Sequence, residues 1–333
     1  MKTQVVRALP DPARGHKARR RLERTKDRDC PGASTREPAL TMKKIAYLAS
    51  RVTIPGSIIR RTDAFEHDFT MDALRPAFEA RGMVIEDVCW DDTKADWASN
   101  DAAIIGTTWD YWDRLEEFLA ALDMIGTKTH LMNPASLVRW NCRKTYLREL
   151  EARGAKLIPT LWLDTCGPEE VKAAFDALGA ETLVFKRQVG AGAKGQHKLT
   201  RTDDVPEMPH AMMAQPFLPM IQKEGELSFI FIDGEFCHAL IKRAQPGDYR
   251  IQSSYGGREE VLHPSAEDLA AARAIIGALD DAPLYGRVDM LRGEDGGLLL
   301  MELEVIEPYL YPKEGPELGE RMAAAVARRI GTA

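Results

Sequence analysis

Tyr285–Pro308, YGRVDMLRGEDGGLLLMELEVIEP, reads as two strands joined by a Gly-rich turn. Successive strand residues face opposite ways, so Arg287 and Asp289 share a face, while Val288 and Met290 take the other. Glu302 and Glu304 share a face in the same way, with Leu303 and Val305 opposite. The turn GEDGG (293–297) can reverse the chain. Two neighbouring strands would then aim Arg287, Asp289, Glu302 and Glu304 at one point. Three carboxylates on an apolar-backed surface repel one another unless a cation joins them. Oxygen-only ligands suit a hard cation such as Mg²⁺, which usually also holds substrate phosphates. The solvated face of a two-stranded ribbon gives the same alternation, so the pattern alone leaves both readings open.

Upstream, Lys186 ends the apolar strand TLVFKR and directly precedes RQVGAGAKG. Gly190, Gly192 and Gly195 allow positive φ and a close approach of backbone to ligand. Such a loop can turn several N–H groups toward phosphate oxygens, with Lys186 adding a point charge. It is not a P-loop, because GxxxxGK[ST] is absent. A Gly-rich hairpin between LVFKR and HKLT fits better, and a plain surface hairpin fits equally well. Lys144 lies one turn into a predicted helix with Asn141 as its N-cap and Gly154 at its C-terminus. Glu226 heads the strand GELSFIF and is a candidate for ribose hydroxyls; Lys242 and Arg250 lie in HALIKRAQPGDYRIQ. Each of these alone is an ordinary surface charge. Their order carries the information: Lys, Gly loop, apolar hinge AQPFL, Glu, Lys/Arg, then Asp and Glu-x-Glu.

The 333 residues allow two or three domains, and the composition is that of a soluble globular protein. No apolar run approaches the ~20 residues needed to span a membrane. No apolar segment follows the charged N-terminus, so no signal peptide is expected. Five scattered cysteines without a CxxC pair point to reduced thiols in a cytoplasm. Residues 1–41 carry a net charge of +6 and residues 42–333 a net charge of −12. The first segment holds few large apolar residues and is expected to be disordered. It reads as a solvated tail, as sequence ahead of a true start at Met42, or as a basic arm for anionic partners. The acidic body argues against nucleic acid.

From Lys43 apolar runs alternate with helical patterns, the signature of an α/β fold. Strands KIAYLAS (44–50), MVIEDVCW (83–90), AAIIGTTW (102–109) and HLMN (130–133) interleave with helices over 70–82 and 113–126. This predicts a small doubly-wound domain over 42–135. It lacks a G-x-G-x-x-G after its first strand, which argues against dinucleotide binding. Strand KLIPTLWL (156–163), helix 168–179 and strand 182–187 follow. From Met212 the sequence is strand-rich, with Asp233-Gly234 as a hairpin turn. A helix over 266–280, the opening ribbon and a last helix close the chain. Boundaries are expected at 136–217 for a central unit and 218–333 for a C-terminal unit, α+β in character.

The ordered pieces LVFKRQVGAGAKG, MAQPFLPMIQKEGELSFIFIDGEFCHALIKR, GDYRIQSSYGG and YGRVDM…LLLMELEVIEP resemble the ATP-grasp superfamily, in the branch of prokaryotic glutathione synthetases and the ribosomal-protein glutamate ligase. NPASLVRWNCRKTYLREL and TTWDYW are similar to the cycloserine-forming group. The resemblance spans roughly residues 141–312, preceded by a pre-ATP-grasp domain. It implies that Lys144 and Lys186 hold the α- and β-phosphates of ATP and that Gly190, Gly192 and Gly195 form a flap over the triphosphate. It makes Gln215–Leu218 the adenine hinge, with Phe217 and Leu218 offering backbone groups, and has Glu226 bind ribose. Asp289 and Glu302 would bind two Mg²⁺. Arg287 would stabilise the phosphoryl group, and Arg250 with Lys242 would face the γ-phosphate or a substrate carboxylate. The family usually has Glu-x-Asn where this chain has Glu302-Leu303-Glu304. That puts metal preference in doubt and admits Mn²⁺. The flap also lacks the family's usual Ser or Thr.

The resemblance implies an ATP-dependent carboxylate–amine ligase acting through an acyl phosphate on small carboxylate and amine substrates. It would join two molecules or close a ring within one, in the cytoplasm, with no membrane or nucleic-acid partner; a homo-oligomer is open. A kinase giving a stable phosphorylated product and a non-catalytic ATP-binding module are the alternatives. The N-terminal domain is expected to supply the acceptor site through Arg60–Asp63 and Thr107–Tyr111, beyond the carboxyl ends of its strands. His238 and His263 read as structural or surface residues.

Overall fold

The computed structural model describes residues 42–245, 250–251 and 256–331. The basic segment 1–41 and much of GDYRIQSSYGG lie outside the described residues.

The first sheet contains β1 (Lys43–Ala49), β2 (Met83–Cys89), β3 (Ala102–Ile105) and β4 (His130–Met132), all parallel in the order β2-β1-β3-β4. Both faces are covered, which is why the strands read as continuous apolar runs. Ile45 and Tyr47 pack with Met71, Leu74 and Phe78 of α1 (Phe65–Glu79). Ala46 and Leu48 pack with Phe118, Leu122 and Ile125 of α2 (Leu115–Gly126). Two expectations need correction. The first helix begins at Phe65 rather than residue 70, its first turn carrying Glu66 and Asp68 where carboxylates suit the helix dipole. The third strand ends at Ile105 rather than Trp109. Gly106 lies so close to the Tyr47 ring that a Cβ would stand 2.1 Å from it, and the chain leaves the sheet there.

Next come α3 (Ala135–Asn141) and α4 (Tyr146–Ala152), where the sequence predicts one helix starting at Asn141. The break is set by tertiary bonds. Asn141 ends α3, and its side-chain amide donates to the Leu303 carbonyl instead of capping a helix. Lys144 therefore sits in the turn between the helices, its backbone N–H bonded to the Gln188 carbonyl at 2.8 Å. The second sheet, antiparallel in the order β5-β8-β6-β7, comprises β5 (Leu161–Leu163), β6 (Thr182–Arg187), β7 (His197–Thr200) and β8 (Met212–Pro216). It packs on α5 (Pro168–Leu178), which ends at Gly179 with φ +61°. The strand expected over 156–163 shrinks to three residues. Lys156 and Leu157 pair instead with Leu300 of the third sheet, and Pro159 has no N–H to give a ladder.

After the short α6 (Met220–Lys223), the third sheet runs β11-β10-β9-β12-β13, antiparallel throughout. Its strands are β9 (Glu226–Ile232), β10 (Glu235–Arg243), β11 (Arg258–Leu262), β12 (Tyr285–Arg292) and β13 (Leu298–Glu304). The β9–β10 turn has Asp233 and Gly234 both at positive φ. The edge strand β11 has no clear signal in the sequence, since REEVL carries an edge strand's charge rather than clean alternation. Helix α7 (Ala266–Gly277) covers one sheet face, and α8 (Leu318–Arg329) packs with α1. Among the described residues no helix is long and apolar enough to cross a membrane.

Candidate active site

One face of the third sheet changes character along its length. Ile230, Leu240 and Tyr285 of this face enter the core shared with α1 and α8. Two residues further along the strands, the same face presents Ser228, Lys242 and Arg287. Leu227, Phe229, Val288, Met290 and Leu303 fill the core on the other side. Strand register sets Glu226 beside Lys242, Ser228 beside Asp289, Asp289 beside Glu302, and Arg287 beside Glu304. The convergence expected from the ribbon is therefore present.

The charges are bonded to each other. Arg287 grips Asp289 through Nε and Nη2 at 2.8–3.1 Å and donates to Glu304 at 2.5 Å. Ser228 Oγ meets Asp289 at 2.5 Å, and Lys242 Nζ stands 2.6 Å from Glu226 and 3.4 Å from Asp289. Asp289 is 2% exposed. Burial alone would raise its pKa, but Arg287 and Lys242 overcome that and hold it well below the carboxylate range. Burial pushes Glu226 up to about 7 against the pull of Lys242. Burial likewise pushes Glu304 up to about 7, with Glu302 and Asp289 adding to the effect and Arg287 opposing it. Lys144 Nζ bridges the Glu302 carboxylate at 2.6 Å and the Gly190 carbonyl at 2.8 Å. Among the described residues no three His, Cys, Asp or Glu side chains converge on their own as a metal cage. The carboxylates are held by cations of the chain itself.

A cavity of about 240 Å³ brings the second and third sheets together with loops of the first. Every nucleotide, metal and catalytic candidate named from the sequence lines it except Gly195, where a Cβ would stand 3.1 Å from the Arg187 side chain. Lys186 enters it from the end of β6. The Gly loop has Gly190, Gly192, Ala193 and Gly195 at positive φ. Lys194 of that loop reaches Asp113 at 2.9 Å. Burial lowers the Lys186 pKa, partly offset by Glu302 and Glu226, and no hydrogen bond or ion pair of its ammonium occurs among the described residues. At the hinge, the Phe217 N–H is already bonded to the Thr182 carbonyl at 2.9 Å. That N–H is therefore not among the backbone groups Phe217 and Leu218 would offer to a base. Glu226 and Lys242 are both nearly inaccessible and paired, so Lys242 serves as the counter-ion of the acidic cluster more than as an open cation.

Of the expected acceptor loops, Arg61, Asp63 and Trp109 line the cavity. Arg60 turns away to Asp68 and to backbone carbonyls, while Thr107 is buried against His67 and Thr53. Sequence reasoning missed Trp112, Arg187, Glu307, Tyr309 and Tyr311, which also line the cavity. It also missed the braces of the ELEVIE segment. Tyr146 Oη bonds the Leu303 carbonyl and N–H at 2.9 and 2.8 Å, and Asn133 binds the Tyr285 and Val305 carbonyls. Asn and Tyr in loops and helix ends give no sequence signal of such long-range bonds.

A family model described as the N-terminal domain of D-cycloserine synthetase DcsG matches residues 45–133. The cycloserine biosynthesis protein DcsG of Streptomyces lavendulae is 30% identical over 285 residues, 79% of this chain and 94% of that protein. The crystal structure of D-cycloserine synthetase DcsG superposes with a TM-score of 0.74 at 25% identity, covering 86% of this chain and 99% of that one. The ATP-grasp ligase PsnB, in a complex with a precursor variant, Mg and ADP, shares the fold, with a TM-score of 0.59 at 16% identity over 86% of this chain and 98% of that one. The chain is an α/β protein of the ATP-grasp ligase family.

Proposed function

We propose that this ATP-grasp ligase activates a small substrate carboxylate as an acyl phosphate, which an amine then displaces with release of phosphate. The observation that carries the reading is the single cavity shared by Lys144, Lys186, the Gly190–Lys194 loop, the Gln215–Leu218 hinge and the Asp289/Glu302 pair. A nucleotide fits these groups in order: base at the hinge, ribose toward Glu226, phosphates under the loop between the lysines. The all-oxygen donor set of Asp289, Glu302 and Glu304 fits Mg²⁺. When bound, Mg²⁺ neutralises charge on the phosphate oxygens. Two ions would be held by Asp289 and Glu302, with Glu304 adding an oxygen and a negative charge that an Asn would lack.

The chain's own groups do the positioning. Arg287, fixed by Asp289, Glu304 and the Tyr309 carbonyl, presents a preorganised positive charge to the transferring group. Lys144 joins the loop to the metal side through Gly190 and Glu302. The loop, once over the triphosphate, keeps water from the acyl phosphate. Arg250 lines the cavity where it can face the γ-phosphate or the substrate carboxylate. The relatives named for cycloserine formation make an amino-acid-like substrate and a ring-closing amide the first forms to try. The test is ADP release with Mg²⁺ across amino acids and short peptides, run with hydroxylamine. A hydroxamate is expected; ADP release with a stable phosphorylated product and no hydroxamate overturns the acyl phosphate.

A further inference from the structure

Glu307 stands three residues beyond Glu304 and lines the cavity, yet is only 9% exposed. Among the described residues it is the one cavity carboxyl without a hydrogen bond or ion pair of its own; Asp63, Glu226, Asp289, Glu302 and Glu304 all have basic partners. Its position is fixed all the same. The Trp109 indole N–H donates to the Glu307 carbonyl at 3.2 Å, and Tyr285 Oη donates to the adjacent Ile306 carbonyl at 2.8 Å. An unmatched donor faces the same cavity, the buried indole Nε1 of Trp112. Leaving a buried polar group unpaired costs stability, on the order of 1–3 kcal/mol. Where such a group lines a cavity, a ligand can complete it.

The chemistry of that ligand follows from the surroundings. Burial, reinforced by Glu304 and Glu302 and opposed by Lys144 and Arg287, raises the Glu307 carboxyl well above its usual range, so a cation seated against it would favour its charged form. A second anion there would meet like charge. A cation would meet the Glu307 carboxyl in a cavity that Trp109 and Tyr309 also line. We infer that Glu307 receives the protonated amino group of the substrate and so selects free amino acids over their acylated or deaminated forms. The inference rests on the ligase reading and names a residue that decides which substrates it takes.

The test compares D- and L-alanine and D- and L-serine with their N-acetyl forms in ADP release and in calorimetric binding to the enzyme with Mg²⁺ and ADP. Wild type, Glu307→Gln and Glu307→Asp are used. The free amines are expected to bind and the N-acetyl forms to fail. Glu307→Gln should raise KM for the amine about tenfold or more with kcat little changed, Glu307→Asp should recover part of the loss, and affinity for ADP should hold. Because the carboxyl has no protein partner, the amide should keep the melting temperature. If it does not, the wild-type comparison of amine with N-acetyl form still decides. N-acetyl forms that serve as well as the amines, or an unchanged KM in Glu307→Gln, overturn the inference. Amines that neither bind nor drive turnover while ADP binds normally also overturn it, and leave the nucleotide reading standing. Loss of ADP binding in the wild type sinks both.

Discussion

Asp289 and Lys186 face the same cavity, but Asp289 is gripped by Arg287, Lys242 and Ser228 whereas Lys186 has no partner among the described residues. The metal side is neutralised by the protein's own cations before any ligand arrives, so its geometry is fixed by the fold. The phosphate side keeps a charge in reserve, at a cost in stability, for a ligand to complete. Asp289 is saturated by the chain itself; Lys186 is left open.

The hardest test of this contrast is at the carboxylates. Asp289→Asn and Glu302→Gln should each lower ADP release by about a thousandfold or more, if they hold the metals. Their stabilities should part. Asp289→Asn leaves Arg287 and Lys242 partly uncompensated in the interior and should cost ~3 kcal/mol. Glu302 has a side chain 23% exposed and one ion pair, so its amide should cost ~1 kcal/mol or less. Denaturant unfolding beside turnover reads both. Equal stability losses would break the distinction between a saturated interior charge and a cleft charge, and retained turnover would remove the metal assignment.

His238 tests whether a buried polar atom without a partner always signals a ligand. It is 9% exposed, its Nε2 has no partner, Gly315 packs against its ring, and it does not line the cavity. Burial lowers its pKa from 6.5 to about 4. The folded-state value is depressed, so the unfolded chain binds the proton more readily. Stability is therefore unaffected above about pH 6.5 and falls as pH drops from there toward 4, by ~3 kcal/mol in all. His238→Leu should flatten this part of the curve in pH-dependent unfolding and leave turnover alone. If the slope persists, another group carries it.

These contrasts mark what the sequence could carry. Alternation in YGRVDM and LLLMELE is a local property, so the shared faces of Arg287 with Asp289 and of Glu302 with Glu304 were legible, as were the parallel sheet and the Gly loop. Pairing across strands is not local. Nothing in HALIKR says that Lys242 will sit 2.6 Å from Glu226, or in VIEP that Glu307 will be left alone. Asn141 shows the limit most clearly. Its sequence context is that of an N-cap, and side-chain bonds to the Leu303 carbonyl and the Val305 N–H, 162 and 164 residues away, overrule it, with Lys144 in the turn that follows.

Lys186→Met bears on the open charge itself. Removing it should raise KM for ATP by ~10–100-fold, the loss expected of a charge-assisted phosphate contact. The same change removes an unpaired, partly buried ammonium and should raise stability by ~1 kcal/mol, about 2–4 °C in melting temperature. Opposite signs for affinity and stability are the signature of a group held for its ligand. A variant that loses both would show that Lys186 supports the sheet instead.

Lys194 gives the smallest and most discriminating case. It sits on the Gly loop and pairs with Asp113 beyond the third strand, but both side chains are more than half exposed. An exposed pair contributes ~0.2–1 kcal/mol and is screened within a Debye length of ~8 Å at physiological salt. Lys194→Ala should therefore change KM for ATP by no more than about fivefold at low salt, and the difference should vanish as salt rises toward ~1 M. That outcome leaves the loop's hold on the nucleotide to its backbone and to Lys144 through Gly190. A large, salt-independent effect would instead mean that the Lys194–Asp113 contact belongs with the saturated charges, as a device that fixes the loop over the cavity rather than one that merely touches it.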